Sequence, residues 1–302
     1  MYDLIIIGGG PAGLTAAVYA ARAAKSVLVL EKETAGGQIT LSPEIENIPG
    51  FTSISGAEFA DKMVDQALTQ GAEIEFGEVI SLEDHGDYKV AVTDTGDRYE
   101  AKAVILATGA AHRHLGLPEE EKFIGNGESF CAVCDGAFYK DRTVALVGGG
   151  NSALVEAVML ADLVKKLYIL QDMPFLTGEA KMQERLRAKD NVEILCNVKV
   201  TGLIGDEELT GVRIEQDGEP KEIMVDGLFV AIGTVPQNNA FRELLDLDER
   251  GYVMAKDNVL TKTRGIFVAG DCRTKRVRQV TTAAADGAEA AIAAVNFIEG
   301  RA

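Results

Sequence analysis

The sequence predicts an α/β protein with two Rossmann-like nucleotide-binding units. Three observations carry this. First, LIIIGGGPAGLTAAVYAARAAKSVLVLEK, starting at Leu4, aligns without a gap on VALVGGGNSALVEAVMLADLVKKLYILQD, starting at Val144. Second, a strand-rich stretch follows each copy. Third, an apolar strand, a Gly270-Asp271 pair and an Ala-rich helix close the chain.

Each copy reads as strand, glycine turn, helix and second strand, the crossover that a parallel pair requires. The first glycine, Gly8 or Gly148, permits a tight turn. The second, Gly10 or Gly150, lets backbone approach a pyrophosphate. The third position, Gly13 or Ala153, lets helix and strand pack closely. Phosphates then sit at the helix N-terminus, where free N–H groups and the dipole favour an anion. Glu31 ends the second strand of copy one and suits hydrogen bonds to a ribose hydroxyl. Between the copies, strands are expected at Glu73–Phe76, Tyr88–Thr93 and Ala103–Leu106, with turns at 84–87 and 95–97. After the second copy they are expected at Val192–Leu195, Gly211–Gln216 and Gly227–Ile232. The last elements are a strand at Gly265–Val268 and a helix from about Thr281 to Ile298, whose small residues suit close packing.

A chain of 302 residues with 47% apolar content can bury two cores. A net charge of −17 argues against nucleic acid, since binding there rests on neutralising phosphates. No apolar run approaches a membrane span. The first strand opens at Tyr2 without a basic region or cleavage site, so no signal peptide and a cytoplasmic location are expected. Of four cysteines, Cys131 and Cys134 form a CxxC motif, which is either redox-active or half of a metal site. A structural zinc site needs two further ligands at suitable spacing. Cys196 and Cys272 stand alone and His112 and His114 flank an arginine, so no metal is expected. Cys196 reads as an inert buried thiol and Cys272 as a passive one.

GGGPAG at 8–13, GGQI at 36–39, ATGA at 107–110, CAVCDG at 131–136, GGGNSA at 148–153, AIGTVP at 231–236, AGD at 269–271 and RQV at 278–280 occur in that order. The chain thereby resembles the low-molecular-weight thioredoxin reductase family over essentially its whole length. The resemblance implies a homodimeric FAD enzyme of two three-layer ββα domains, the second inserted in the first. The FAD-binding domain would comprise residues 1–114 and 237–302. Residues 115–236 would form an NAD(P)H-binding-like domain carrying a Cys131–Cys134 disulfide, with hinge linkers near 114–118 and 236–239.

By position, Gly8, Gly10, Pro11, Ala12 and Gly13 would hold the pyrophosphate, with Glu31 and Lys32 at the adenosine ribose. Gly37, Gln38, Asn47 and Val79 would lie along the cofactor, and Thr108-Gly109 would close the strand beneath it. Gly270-Asp271 would meet the ribityl chain. Arg278, Gln279 and Val280 would approach the isoalloxazine. Cys134 would take electrons from reduced flavin, and Cys131 would attack the disulfide of thioredoxin or a similar small dithiol protein. Asp135 would protonate the leaving thiolate, and could also serve as a helix N-cap. Val133 stands where the family commonly has Thr.

One segment departs from the family. NADPH is distinguished from NADH by a 2′-phosphate normally held by Arg or Lys after the second strand. Here that segment reads Gln171-Asp172-Met173-Pro174-Phe175, with no basic residue before Lys181. Charge-assisted bonds worth roughly 1.5–3 kcal/mol each are missing. The donor is therefore expected to be something other than NADPH. Reduced ferredoxin is one reading, because Arg273, Lys275, Arg276 and Arg278 cluster beside the flavin motif and acidic carriers dock by charge complementarity. NADH is another, and NADPH held by residues distant in sequence is a third. Two alternatives stand beside the reductase reading: a peroxide-handling NADH oxidase or carrier-linked reductase, and a non-catalytic FAD-binding scaffold.

Overall fold

The computed structural model describes residues 1–42, 44–255 and 258–301. In chain order the first elements are β1 (Tyr2–Ile7), α1 (Pro11–Arg22), β2 (Val27–Glu31), α2 (Gly56–Thr69), β3 (Glu73–Phe76), β4 (Val79–Asp84), β5 (Lys89–Thr93) and β6 (Arg98–Leu106). Then come β7 (Ala110–His112), α3 (Glu120–Phe123), β8 (Glu128–Ser129), α4 (Ala132–Asp135), β9 (Thr143–Val147), α5 (Asn151–Ala161), β10 (Lys166–Leu170), α6 (Ala180–Arg187) and β11 (Val192–Leu195). The chain continues through β12 (Val198–Gly205), β13 (Leu209–Gln216), β14 (Glu219–Met224), β15 (Gly227–Val230), β16 (Thr234–Pro236), β17 (Ile266–Val268) and α7 (Val280–Ile298).

Two compact units result. One comprises residues 1–43, 48–111 and 235–302, and the other 44–47 and 112–234. The crossings fall at 111/112 and 234/235, two or three residues before the positions suggested by the sequence motifs.

In the first unit, β1 pairs in parallel with β2 and β6, β2 with β3, and β17 with β6. Strands β4 and β5 extend the sheet antiparallel beyond β6. β1 is covered on both faces, which is why its sequence is a continuous apolar run rather than an alternation. Leu4 and Ile6 face α1 and α7, while Ile5 and Ile7 face a second core containing Val79, Leu82 and Phe241. Burying each such side chain contributes about 1.5–3 kcal/mol. Helix α7 lies close on α1 because Gly287 has no side chain; a Cβ there would sit 2.1 Å from the Ala12 carbonyl oxygen. Gln279 and Thr282 close the start of α7 with a capping box.

The second unit repeats the plan with one layer exchanged. A five-stranded parallel sheet runs β11-β10-β9-β15-β8, and a separate antiparallel sheet runs β12-β13-β14. Val144 and Leu146 of β9 face the helical layer, with Ala153, Leu154 and Ala157 of α5. Ala145, between them, faces the antiparallel layer with Val198, Val200 and Val212. The two-residue period of the strand thus distributes one apolar run between two cores. The expected strands are all present. The sequence reading missed β4, β12 and β14, and the short strands β7, β8 and β16.

Candidate active site

In the first unit the chain leaves β1 into a glycine turn that only glycine can make. Gly8 has φ +108°, and a Cβ there would lie 2.3 Å from the Ala107 carbonyl oxygen. A Cβ at Gly13 would lie 1.9 Å from the Gly8 oxygen. Helix α1 begins with Gly10 as N-cap and Pro11 in its first turn, and no side chain caps it. Its first N–H groups are thus left for an anion. Gly36 donates to the Gly9 carbonyl at 2.7 Å, which seats Gly37 against Gly10. Glu31 is buried; Oε2 accepts the Gly9 N–H at 2.6 Å and Oε1 the Glu33 N–H at 2.9 Å.

The other expected contacts of this unit divide. Gly109 (φ +66°) has open space where a Cβ would lie, and Gly270 (φ +78°) approaches Ala12. Asp271 Oδ1 is buried with no hydrogen-bond partner, 3.8 Å from Lys275 Nζ, and burial pushes its carboxyl above the usual range. Thr108 donates to Asn238 Oδ1, and Asn238 Nδ2 donates to the carbonyls of Gly251 and Cys272. Asn238 is a fully buried tie between the ATGA and AGD segments that the sequence reading missed. Gln38 donates to the Ala110 carbonyl, Lys32 pairs with Glu33 on the surface, and the Val79 side chain belongs to the core. Gln279 and Val280 open α7, with Ala12 in α1 close by Gly287. Asn47 groups with the second unit rather than the first.

The basic span requires a correction. Arg273 and Lys275 both pair with Asp286, at 3.1 and 2.9 Å. Arg278 lies over the Tyr252 ring, 4.4 Å from its centroid, and its guanidinium donates to the carbonyls of Asp271, Arg273 and Lys275. Of the four basic residues only Arg276 is exposed. These side chains serve first to hold their own loop.

The second glycine turn repeats the backbone of the first. A Cβ at Gly148 would lie 2.6 Å from the Ala231 oxygen, and α5 also starts at a glycine without a side-chain cap. The surroundings differ. Gln171 stands where Glu31 stands in copy one; its buried amide fills the space over Gly149 and donates to the Phe175 carbonyl at 3.3 Å. Thr177 and Gly178 both donate backbone N–H to the Gly149 carbonyl, and the Thr177 hydroxyl adds a third bond. Asp172 is exposed, as are Met173 and Phe175.

Cys131 and Cys134 form a disulfide at the start of α4. Cys131 is the helix N-cap, and its Sγ accepts the Cys134 N–H at 3.2 Å. Asp135 ends α4 and its side chain caps no helix; Oδ2 instead accepts the Ser129 hydroxyl at 2.5 Å. Burial pushes the Asp135 carboxyl up, opposed by that hydrogen bond. On the other side, Glu156 of α5 accepts the Ala132 N–H at 3.2 Å, and burial raises it to about 7. Glu128 is buried without a hydrogen-bond partner and is raised to about 8, by burial first and by neighbouring Glu120 second. Glu120 accepts the N–H groups of Leu115, Gly116 and Leu117. Phe130 stacks on His112 and meets His114, each at 5.1 Å. Burial lowers His112 to about 4.

Cys272 is sealed in the first unit, where burial pushes its thiol up; Cys196 is only half-buried, against expectation. No cluster of His, Cys, Asp or Glu among the described residues could hold a metal ion.

Paired glycine turns and a redox disulfide on a short helix define a class: nucleotide-dependent oxidoreductases that work through a pair of sulfurs. The pyridine nucleotide-disulphide oxidoreductase family model matches residues 2–287, and the chain belongs to that family, on its low-molecular-weight thioredoxin reductase branch. It is 41% identical to a thioredoxin reductase of Listeria innocua over 302 residues, covering 99% of this chain and 94% of that one. A thioredoxin reductase of Bacillus subtilis is 40% identical over 305 residues, covering 99% of this chain and 95% of that one. The crystal structure of thioredoxin reductase from Streptococcus pyogenes superposes with a TM-score of 0.94 at 40% identity, covering 99% of both chains.

Proposed function

We propose that this oxidoreductase is an FAD-dependent disulfide reductase that passes electrons through Cys131 and Cys134 to thioredoxin or a similar small dithiol protein. The observation that carries the reading is the Cys131–Cys134 disulfide with a half-buried acid, Asp135, held one residue beyond it by Ser129.

The first unit fits FAD. Its uncapped α1 terminus and side-chain-free Gly8–Gly10 turn suit the pyrophosphate, Glu31 the adenosine ribose, and Asp271 Oδ1, which has no hydrogen-bond partner among the described residues, a ribityl hydroxyl. When bound, the flavin supplies two-electron redox chemistry. The chain's own residues do the rest. Both sulfurs belong to half-buried residues; Cys134 is the sulfur that first accepts electrons, and Cys131 attacks the substrate disulfide as a thiolate. Asp135 supplies the proton for the leaving sulfur. Exposed Val133 lies between the two sulfurs in sequence and offers the substrate an apolar contact.

The donor we infer is not NADPH. Asp172 and the neighbouring Met173-Pro174-Phe175 offer a 2′-phosphate no cation, and Asp172 repels it. Reduced ferredoxin is the carrier this reading names, although Arg276 is the one exposed cation left in the 273–278 span to attract it. NADH is the second reading, favoured by the preserved Gly148–Gly150 turn with Gln171 beside it. A cytoplasmic homodimer completes the proposal; among the described residues no helix is long and apolar enough to cross a membrane.

Stopped-flow mixing of oxidised holoenzyme with NADPH, NADH and reduced ferredoxin tests the donor, with flavin bleaching as the signal. Rapid bleaching by ferredoxin or NADH, and none by NADPH, is expected. Rapid bleaching by NADPH would overturn the donor assignment alone. Thiol titration before and after flavin reduction tests the disulfide: a gain of two thiols per chain is expected, and no gain would return the chain to the scaffold reading.

A further inference from the structure

Ser129 sits two residues before Cys131, in β8, and is buried. Its hydroxyl has one proton to donate and lone pairs to accept with. The proton goes to Asp135 Oδ2 at 2.5 Å; the oxygen accepts the Cys131 N–H at 3.1 Å. One hydroxyl thus joins the acid to the backbone of the attacking cysteine. The remaining Asp135 oxygen, Oδ1, is buried and has no hydrogen-bond partner among the described residues.

We propose that Ser129 is a positioning residue for proton transfer: by occupying Oδ2 it leaves the transferable proton on Asp135 Oδ1. The inference rests on Asp135 being the acid, as assigned above. An oxygen that already accepts a strong hydrogen bond is the poorer place for the carboxyl proton, so the neutral acid carries it on the other oxygen. Oδ1–H then has no competing acceptor among the described residues. Ser129 also acts on the acid's strength. Burial favours the neutral form, and the Ser129 hydroxyl favours the charged one. The opposition keeps the group able to give up a proton as well as hold it.

The proton balance is closed. The Cys131 thiolate attacks the substrate disulfide, forming a Cys131–substrate S–S bond while the substrate's own S–S bond breaks. The leaving substrate thiolate takes the proton from Asp135. The Cys134 thiol then attacks Cys131, returning a proton to Asp135, and the second substrate sulfur leaves as a thiolate. The enzyme dithiol is oxidised and the substrate disulfide is reduced.

The other titratable groups around this acid are Tyr139, raised to about 12 by burial and then by the Asp135 charge, Glu156 of α5, and Glu128 beside Ser129 in β8. Among the described residues, Ser129 is the side chain that hydrogen-bonds the Asp135 carboxyl.

The test compares Ser129→Ala, Ser129→Thr and Ser129→Val in the full-length holoenzyme. Each is reduced with dithionite and mixed with the disulfide form of a thioredoxin across the pH range. Asp135 must be protonated, so the rate falls on the alkaline side as it ionises. Removing the hydroxyl stabilises the neutral acid. Ala and Val therefore shift the alkaline limb to higher pH and slow the reaction about tenfold, and Thr restores both. Thr and Val have nearly the same shape, so their difference reads the hydroxyl even if Ala disturbs folding. An alkaline limb unmoved in both Ala and Val would overturn the inference, since a packing role alone leaves the limb in place. Asp135→Asn separates the two layers: it should abolish the limb, and a limb that survives removes the acid assignment itself.

Discussion

The two glycine turns share a backbone and differ in what surrounds it. In both, the first glycine adopts a left-handed conformation because a carbonyl oxygen, that of Ala107 or Ala231, lies where a Cβ would be. In both, the following helix starts without a side-chain cap. Copy one adds a carboxylate, Glu31, bound to the turn's own N–H, and a short glycine segment, Gly36–Gly37, laid across it. Copy two has a neutral amide at the same position and a Thr177–Gly178 segment bound three times to one carbonyl. Backbone geometry makes a place for phosphates, while the side chain ending the second strand decides which nucleotide is held. The second unit shares that backbone and has no cation from Gln171 to Phe175, yet it carries the Cys131–Cys134 disulfide.

The sharpest way to break this division of labour is to remove a sulfur. Cys134→Ser should lower thioredoxin reduction by at least about a thousandfold, while the holoenzyme stays yellow. Loss of flavin along with activity would show that the units do not separate their tasks. Gly8→Ala comes next. It forces a Cβ to 2.3 Å from rigid backbone at a positive φ, so we expect several kcal/mol of destabilisation and an apoprotein on purification. Gly149→Ala meets only the Gln171 amide, which can move, and should cost about 1 kcal/mol or less by thermal melting. Equal losses would mean that the Gln171 amide over Gly149 is as fixed as the backbone over Gly8.

Restoring the missing cation is a smaller change. Asp172→Arg, alone or with Gln171→Arg, should raise the rate of flavin reduction by NADPH about tenfold or more, without affecting NADH equally. No response would indicate that the second turn no longer admits a nucleotide. A pH-dependent effect concerns Glu128. Its folded pKa, about 8, lies above the unfolded value of 4.5, so its contribution to stability is fully present below pH 4.5 and is lost as pH rises to about 8. Glu128→Gln cannot ionise. Its melting temperature should match the parent near pH 4.5 and exceed it by a few degrees above pH 8. A constant difference across that range would remove the buried charge as the cause.

Much of this molecule could be read directly from its residues. The repeated apolar strand, glycine turn and helix announced two Rossmann-like domains because tight turns and close packing admit few residue types. CxxC pointed to a redox pair or half a metal site because a cysteine pair at that spacing serves few other purposes. Strands β4 and β14 escaped notice because the polar side chains of a partly exposed strand blur its period, and β12 because a register shift after Val200 interrupts its alternation. The Arg273–Arg278 span looked like a docking patch. Only the fold brought Asp286 and Tyr252 to it, converting free charge into internal pairing. Ser129 was in plain view beside the CxxC motif, yet nothing in its neighbours' identity said where its hydroxyl points. Glu156 and Asn238 reach their partners only through packing of α5 and of the Pro236–Phe241 turn. Sequence determines what short-range sterics and composition can impose: the turns, the strands buried on both faces, the paired sulfurs. Tertiary structure decides which charges are neutralised and which acids lose their water, because both depend on neighbours distant in the chain.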